Sequence, residues 1–296
     1  MTAEIIALVG PTGSGKTSVS LSLAERWGAE IVNCDSRQVY RGLDIGTAKP
    51  TAAEQGRAPH HLFDVVDPDQ RFDAAAYAAL ARAAIDATAG RGRRVIVVGG
   101  TGLYLKALRF GLFDGPPADA TLRARLVAED EAAPGAMHAR LARADPATAA
   151  RLHARDRVRV VRALEVLELT GRPLSAWHRE HGFAGGELAM RVVGLDVPRA
   201  ELYARLDARC EAMLAAGLLE EIRALWAAGY GPELSALRSI GYRQLGAHLR
   251  GEVDEPTALA AMQRATRQFA KRQLTWFRAD PTVAWMTPVD ALHTLG

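Results

Sequence analysis

The sequence predicts an α/β protein in which a parallel β-sheet is interrupted by a helical insertion. Four short apolar runs are each typical of a buried strand and lie at 5–9, 30–34, 94–98 and 191–197. The stretches between them contain apolar residues at helical spacing. Between residues 114 and 190 the pattern changes to short helical segments with hardly any strand signal. We therefore expect a first part of the core at 1–113, the insertion at 114–190 and a second part of the core at 191–296.

The first strand is followed at once by a phosphate-binding motif. Residues 10–17 are GPTGSGKT and fit the pattern G-x-x-x-x-G-K-[ST]. Glycines allow the backbone conformations that point successive N–H groups into one hollow, and the N-terminus of the next helix adds partial positive charge there. Lys16 supplies a cation for phosphate oxygens, and the Thr17 hydroxyl can bind Mg²⁺. The order of strand, loop and helix predicts that the chain binds a diphosphate or triphosphate.

Polar residues follow the second and third strands. Asp35 comes soon after the second, and Thr101 follows two glycines after the third. Because functional groups gather beyond the carboxyl ends of parallel strands, we expect Asp35 beside the phosphate hollow, with a helix or turn cap as the alternative. Thr101 can present its hydroxyl to a substrate, but taken alone it is better interpreted as a helix cap.

Residues 42–71 are rich in Gly, Pro and Asp and predict an ordered loop lying over this site. His60 and His61 belong to this loop. We interpret them as hydrogen-bonded loop residues rather than metal ligands, because no cysteine or carboxylate stands at ligand spacing.

The composition is that of a soluble globular protein. Of 296 residues, 49% are hydrophobic and 24% are charged, which is ordinary for that class. No apolar run approaches the roughly 20 residues that a membrane-spanning helix needs. The chain leads directly into a strand, so we expect no signal or transit peptide. Cys34 and Cys210 lack the spacing of metal ligands, which favours a reducing, cytoplasmic compartment.

Basic residues cluster on two predicted helices and one loop. Asp145-Pro146 and Asp156 are helix-start signals, and five Arg with one Asp lie between residues 151 and 162. A solvated face and a contact with a polyanion both remain open there. A basic loop follows at 238–244, and a late helix carries Arg264, Arg267, Lys271 and Arg278. Around a phosphate site, this distribution predicts a nucleic-acid partner.

These stretches resemble the tRNA dimethylallyltransferases, the bacterial isopentenyl-transferase family. The matches run in family order over nearly the whole chain: GPTGSGKT (10–17), DSRQVYRGLDIGTAKP (35–50), PHHLFD (59–64), VGGTGLYLKAL (98–108), RVRVVRALEV (157–166), RSIGYRQ (238–244) and RQFAKRQLTWFR (267–278). The phosphate loop alone is unspecific, but TAKP, GGTGLY and RSIGYRQ together are highly specific. The resemblance implies a P-loop kinase-like core that carries a helical insertion, in a cytoplasmic monomer.

The resemblance also implies an activity. Such an enzyme transfers a dimethylallyl group from dimethylallyl diphosphate to N6 of the adenosine 3′ to the anticodon, position 37 of tRNA. Its P-loop holds the diphosphate leaving group rather than ATP, and Mg²⁺ held through Thr17 is the expected metal. Asp35 would be the catalytic base, with Thr101 holding the amino group. No membrane and no obligate protein partner are expected.

The same resemblance assigns two sets of binding residues. The expected diphosphate-binding residues are Gly10, Pro11, Thr12, Gly13, Ser14, Gly15, Lys16, Thr17 and Arg209. The expected tRNA-binding residues are Ser36, Arg37, Gln38, Arg123, Arg159, Arg162, Arg238 and Arg243.

Three other classes of protein share parts of this pattern. A small-molecule kinase would use Asp35 on an acceptor hydroxyl, but a small acceptor needs no such basic surface. An enzyme that prenylates free adenine nucleotides would share the core and carry less RNA-binding surface. A non-catalytic RNA-binding module is disfavoured by the complete phosphate loop together with Asp35.

Overall fold

The computed structural model describes residues 4–113, 115–181 and 187–296. The chain divides into two compact units, unit 1 at Met1–Arg109 and Leu188–Gly296, and unit 2 at Phe110–Glu187. These divisions fall a few residues before the predicted boundaries at 114 and 190, and residue 114 itself lies outside the described residues. The units correspond to the core and the insertion that the change of pattern indicated.

Unit 1 is built on a six-stranded sheet whose described strand pairs are all parallel. Its strands are β1 (Ile5–Val9), β2 (Glu30–Asn33), β3 (His60–His61), β4 (Val95–Gly99), β5 (Arg191–Leu195) and β6 (Ala284–Met286). Their order across the sheet is β3-β2-β4-β1-β5-β6. The four predicted strands are confirmed apart from small differences at their ends. The edge strands β3 and β6 were not predicted, because they are too short to show a hydrophobic period.

Helices connect the strands and form the regular structure in the described part of unit 2. They are α1 (Lys16–Trp27), α2 (Ala52–Gln55), α3 (Ala74–Gly90), α4 (Gly102–Phe110), α5 (Ala120–Ala132), α6 (Ala136–Ala144), α7 (Pro146–Ala149), α8 (Arg157–Thr170), α9 (Leu174–His181), α10 (Arg199–Ala215), α11 (Leu218–Ala227), α12 (Tyr242–Leu249), α13 (Glu255–Arg278) and α14 (Pro288–Leu295). None of them, within the described ranges, is long and apolar enough to cross a membrane.

The central strands are continuous apolar runs because helices cover both faces of the sheet. Every residue of β1 is buried, and Leu8 packs in one cluster with Leu21 and Leu23 of α1 and Ile96 of β4. A second cluster joins α11, α12 and α13 to the segment that follows β2; it includes Val39, Leu43, Leu218, Ile222, Leu245 and Met262. These two clusters hold the carboxyl ends of β1, β2 and β4 in fixed positions.

The apolar face of α3 differs from the prediction at one position. The spacing of Tyr77, Leu80, Ala84 and Ile85 in the Ala-rich stretch 72–89 predicts one apolar helix face, but the side chain of Leu80 is 43% exposed. The buried residues are Ala74, Tyr77, Ala81, Ile85 and Thr88, which recur every three or four positions and so lie on one face of the helix. In an alanine-rich helix, Ala81 is small enough for the helix to pack closely there, so the larger leucine is left outside.

Unit 2 is a helical unit whose helix starts follow the sequence signals. Asp145 accepts a hydrogen bond from the Thr148 N–H at 3.1 Å and precedes Pro146, the first residue of α7. Asp156 caps α8, which ends at Gly171 in the left-handed conformation with φ 67°. Both predictions are confirmed. The core of this unit contains Leu126, Met137, Leu141, Val160 and Leu164.

Candidate active site

The phosphate loop connects β1 to α1 and leaves a set of backbone donors free. Gly10, Gly13 and Gly15 have φ of 139°, 79° and 87°, a region that side chains strongly disfavour. Within the described ranges, no protein acceptor meets the N–H groups of Gly13, Gly15, Lys16 and Thr17. Four unpaired amides at the N-terminus of a helix form an anion-binding cradle.

Lys16 lies across the loop. Its ammonium donates to the carbonyl oxygens of Gly10 at 3.0 Å and Pro11 at 2.7 Å. Burial lowers the pKa of Lys16 to about 8; attraction by Asp35 opposes that shift and repulsion by Arg209 adds to it. An arriving anion would supply the counter-charge that this ammonium lacks.

Gln273 of α13 joins the loop to the end of β4. Its side-chain oxygen accepts from the Thr12 N–H at 2.9 Å, and its side-chain nitrogen donates to the Gly100 carbonyl at 3.0 Å. A Cβ on Gly100 would lie 2.0 Å from that nitrogen, so a larger residue there would displace the Gln273 amide. The Thr12 N–H is therefore engaged within the protein and is not part of the free cradle. No local pattern in the sequence marks Gln273 as part of the site, although it lies in the RQFAKRQLTWFR stretch.

Asp35 follows β2, and in the described part of the chain one of its carboxylate oxygens accepts a hydrogen bond while the other does not. Its Oδ1 accepts from the Arg37 N–H at 2.8 Å, and its own N–H donates to Asn33 Oδ1 at 3.0 Å. Among the residues that the structure describes, Oδ2 has no hydrogen-bond donor. The carboxylate is thus oriented from one side while its second oxygen can receive a proton. The predicted position of Asp35 beside the phosphate loop is confirmed.

Thr101 directly precedes α4, but its hydroxyl does not cap that helix. The hydroxyl oxygen accepts from the Ser36 N–H at 3.0 Å, and the hydroxyl donates to Ser36 Oγ at 3.3 Å. The interpretation of its side chain as a helix cap was wrong, because the hydroxyl is used across the sheet edge instead. Thr101 and Ser36 together fix the backbone next to Asp35.

A cleft of about 940 Å³ opens at the phosphate loop. Arg205, Arg209 and Gln273 line it, together with much of the segment 44–55 and Asp64. The prediction that the loop at 42–71 lies over the phosphate site is confirmed for these residues. Arg209 lies half-buried beside Asp35, and burial lowers its pKa while nearby Cys210 and Asp35 oppose that shift.

A second cavity of about 320 Å³ adjoins the cleft. Leu206, Met213, Ile240, Met262 and Phe269 give it an apolar wall, and we call it the apolar cavity, although four arginines also line it: Arg37, Arg209, Arg238 and Arg272. Thr12, Asp35, Thr47 and Arg209 line both spaces. Asp35 therefore stands where an anion-binding cleft meets an apolar cavity, an arrangement that suits transfer of an apolar group away from an anionic leaving group.

The predicted tRNA-binding residues of unit 1 have different surroundings. Arg238 and Arg243 are exposed, and Arg37 donates from its guanidinium to the Ser235 carbonyl at 3.2 Å. Gln38 instead points into the protein, where its amide donates to the carbonyls of Thr47 and Ala48. Gln38 thus holds the loop at 42–71 that lies over the phosphate site, which we call the covering loop.

In unit 2, two of the three predicted arginines serve a buried carboxylate. Arg123 donates twice to Glu165, each time at 2.8 Å, and Arg162 donates to it at 2.7 Å. Burial would raise the pKa of Glu165, but these arginines lower it to about 2. Arg159 is 67% exposed and, among the described residues, forms its ion pair with Asp156, its neighbour one turn earlier. Arg159 is the arginine of this set whose charge is most open to solvent.

The two loop histidines are hydrogen-bonded, as interpreted. His60 Nδ1 lies 2.7 Å from the Ala58 carbonyl, and His61 Nε2 lies 2.7 Å from Glu30 Oε2. The described part of the chain contains no group of three or more His, Cys, Asp or Glu residues that could hold a metal ion.

The fold and the site define a P-loop protein of the α/β class, with an anion cradle, an adjacent carboxylate and an apolar cavity. The family model described as IPP transferase matches residues 38–280. The chain belongs to the IPP transferase family.

Relatives of the same family align over nearly their whole length. The tRNA dimethylallyltransferase of Anaeromyxobacter dehalogenans is 52% identical over 295 residues, covering 99% of this chain and 95% of the relative. That of Syntrophobacter fumaroxidans is 50% identical over 288 residues, covering 97% and 84%.

Two solved structures are similar in fold as well as in sequence. The tRNA isopentenylpyrophosphate transferase of Bacillus halodurans is 36% identical with a TM-score of 0.71, covering 99% of this chain and 94% of its own. A eukaryotic dimethylallyltransferase acting on tRNA is 27% identical with a TM-score of 0.77, covering 97% and 75%.

Proposed function

We propose that this enzyme transfers a dimethylallyl group from dimethylallyl diphosphate to N6 of adenosine 37 in tRNA. Family membership supports tRNA prenylation as the activity. The observation that carries the finer proposal is the position of Asp35, whose available oxygen lies where the anion cleft meets the apolar cavity. A cytoplasmic location is part of the same proposal, because the tRNA substrate is found in that compartment, and a monomer is the expectation from the family.

The acceptor nitrogen needs a base. The lone pair of an exocyclic adenine amine is delocalised into the ring, so a proton must leave as the new C–N bond forms. Asp35 accepts that proton through the oxygen that the Arg37 N–H leaves free. The hydroxyls of Thr101 and Ser36 lie beside Asp35 and can hold the amino group by hydrogen bonding.

The leaving group needs charge stabilisation. As the C–O bond of the donor breaks, both electrons go to the diphosphate, and its negative charge increases. The free amides of Gly13, Gly15, Lys16 and Thr17, with the Lys16 ammonium and Arg209, face this charge in the cleft. Donors that are already oriented stabilise such charge without further reorganisation.

Mg²⁺ fits the donor set that the structure offers. The Thr17 hydroxyl has no hydrogen-bond partner among the described residues, and no carboxylate cluster competes for the ion. Mg²⁺ usually keeps several waters and binds through few protein groups together with phosphates. Thr17 would hold the ion, and the ion would neutralise diphosphate charge.

The acceptor base must leave its stack to reach Asp35. Extrusion costs roughly a few kcal/mol, and contacts to the RNA backbone can offset that cost. Arg238 and Arg243 of unit 1 and Arg159 of unit 2 are exposed cations that can make such contacts. Arg37 lines the apolar cavity next to Asp35 and can contact the extruded nucleotide.

One assay tests the proposal against its alternatives. Labelled dimethylallyl diphosphate is offered with tRNA, AMP or ATP as acceptor, and the labelled product is digested to locate the modified nucleoside. We expect label at position 37 of tRNA and none in free nucleotides. Label in AMP or ATP would favour a nucleotide prenyltransferase, and phosphorylation of a small alcohol by ATP without prenyl transfer would favour a kinase.

A further inference from the structure

The carboxylate of Glu221 on α11 accepts hydrogen bonds from three successive backbone N–H groups of the covering loop. The N–H groups of Asp44 and Ile45 donate to its Oε2 at 3.1 and 2.7 Å, and the Gly46 N–H donates to its Oε1 at 3.2 Å. A carboxylate accepts such charge-assisted bonds more strongly than a neutral acceptor does. One side chain therefore fixes the start of the segment 44–49.

Tyr242 completes this contact from α12. Its hydroxyl donates to Glu221 Oε1, and its ring lies against Gly46. A Cβ on Gly46 would stand 2.5 Å from the ring, so glycine is required there by space rather than by backbone angle. Burial and the nearby Glu221 raise the pKa of Tyr242, which keeps the hydroxyl protonated as a donor.

The far end of the segment is held by side chains of the loop region itself. Gln38 donates to the carbonyls of Thr47 at 3.1 Å and Ala48 at 3.0 Å. The Lys49 ammonium, which is nearly fully buried, contacts the carboxylates of Asp44 and Asp64. Every residue from 44 to 49 thus has a backbone or side-chain tie to another part of unit 1 or to its own loop.

Such ties are needed because the backbone here is strained. In the described ranges, the non-glycine residues with positive φ are Ala48 at 49°, Leu62 at 65° and Asp64 at 53°. All three belong to the loop between β2 and α3. Residues with a Cβ persist in this conformation only when surrounding contacts over-determine it.

The segment separates the two spaces of the site. Asp44, Ile45, Thr47 and Lys49 line the anion cleft, while Gly46 and Thr47 line the apolar cavity. A shift of this wall would change both volumes and the approach of a donor to Asp35. The contact that sets the wall lies on α11 and α12, away from the phosphate loop.

We propose that Glu221 and Tyr242 are positioning residues that fix the segment 44–49 as the wall against which the prenyl diphosphate is aligned with Asp35. The proposal rests on the proposed function for the identity of the donor. The contact of Glu221 and Tyr242 with the segment 44–49, which we call the clamp, lies within unit 1. Its effect on the amides of this segment can be measured without any substrate.

Three substitutions and one control test the clamp. Glu221→Gln keeps the shape but turns an N–H donor toward the backbone donors, Tyr242→Phe removes only the hydroxyl, and Gly46→Ala collides with the ring. Glu220→Gln is the matched control, since Glu220 is the neighbouring residue, 69% exposed, and pairs with Arg223 at the surface. Thermal unfolding is recorded for each variant to establish that it is folded.

Hydrogen exchange of the amides at 44–46 is compared with steady-state kinetics. We expect Glu221→Gln to lower protection of these amides at least tenfold and to raise KM for dimethylallyl diphosphate about tenfold, with KM for tRNA within about twofold. Tyr242→Phe should do the same more weakly. Glu220→Gln should match the wild-type enzyme in both measurements.

Two results would overturn the proposal. Protection at 44–46 that is unchanged in Glu221→Gln would show that the carboxylate does not hold the segment. Loss of protection with both KM values changed equally, or neither changed, would show that the wall does not align the donor. A wild-type enzyme that transfers no prenyl group would refute the proposed function instead, and the exchange measurement would still decide whether Glu221 holds the loop.

Discussion

Two loops form the walls of the same cleft and obtain their unusual backbone in different ways. The phosphate loop places glycine at its positive-φ positions, Gly10, Gly13 and Gly15. The covering loop instead places Ala48, Leu62 and Asp64 in that region, where side chains of Gln38, Asn33 and Lys49 hold them. The local residue types determine the conformation of the phosphate loop, whereas tertiary contacts impose that of the covering loop.

The two loops also differ in the hydrogen-bond partners that each provides for its buried lysine. Among the described residues, the hydrogen-bond partners of the Lys16 ammonium are two carbonyl oxygens, and burial lowers the pKa of Lys16 to about 8. Lys49 contacts two carboxylates, Asp44 and Asp64, and is already neutralised within its loop. The difference indicates that the phosphate loop can bind an external anion, whereas the lysine of the covering loop already has its counter-charges within the protein.

The largest expected effect comes from the residue that stands between the two loops. Asp35→Asn keeps the size of the side chain but removes the base. We expect the single-turnover rate of prenyl transfer to fall by about 10²–10⁴, while tRNA affinity stays close to that of the wild type. Rapid-quench kinetics and filter binding measure the two quantities. Weakened tRNA binding with an unchanged rate would assign Asp35 to RNA recognition instead.

A smaller effect is expected from the pH dependence of anion binding. The pKa of Lys16 is lowered in the free enzyme, and a bound diphosphate raises it again, so binding takes up a proton above about pH 8. Affinity for pyrophosphate should therefore fall as pH rises through 8. Calorimetry from pH 7 to about pH 9.5 measures this, taking the window from the Lys16 pKa range.

Lys16→Met is the control for the pH experiment. This variant retains the titration of pyrophosphate itself but lacks the ammonium. Its affinity should be weaker at every pH and should depend less on pH than that of the wild type. Parallel pH profiles for the two proteins would show that Lys16 does not carry the effect.

The smallest effects test the backbone comparison directly, because the two loops should respond with opposite sign. Gly15→Ala places a Cβ at φ 87° with no close neighbour; strain of about 1–2 kcal/mol, offset by about 0.4–1 kcal/mol from the lower entropy of the unfolded chain, should destabilise the fold by up to about 1.6 kcal/mol. Ala48→Gly relieves strain of about 1–2 kcal/mol but raises the entropy of the unfolded chain, which costs about 0.4–1 kcal/mol, so the fold should gain up to about 1.6 kcal/mol in stability. Denaturant unfolding measures both changes.

Destabilisation in both variants would break the comparison between the loops. It would mean that Ala48 makes packing contacts worth more than the strain it carries. Gly28→Ala is a reference for the first variant, since Gly28 also has positive φ, at 62°, with nothing within 4 Å of an added Cβ.

Several features of the site were readable from the sequence because short-range chemistry determines them. The phosphate loop, the strands that flank it and the caps at Asp145 and Asp156 depend on neighbouring residue types. Asp35 could be placed because a parallel sheet brings the ends of its strands to one edge. The exposed side of α3 was misjudged at Leu80, since the sequence does not show which of two apolar faces is covered.

Charged and polar residues were harder to assign. Arg123 and Arg162 look like an exposed basic patch in the sequence, yet both donate to Glu165, which is fully buried. Gln38 is predicted to bind tRNA, and the sequence gives no sign that its amide also holds the covering loop. A side chain's partner is set by what lies across the fold, and that partner is distant in sequence.

The sequence by itself determined the parallel α/β core, the helical character of the insertion, the anion cradle and the position of the acidic residue beside it, because each follows from residue types within a few positions. Tertiary structure alone decided that Gln273 engages Thr12 and that Glu221 and Tyr242 hold the segment 44–49. These contacts join residues far apart in the chain through single side-chain atoms, and no local pattern records such pairings.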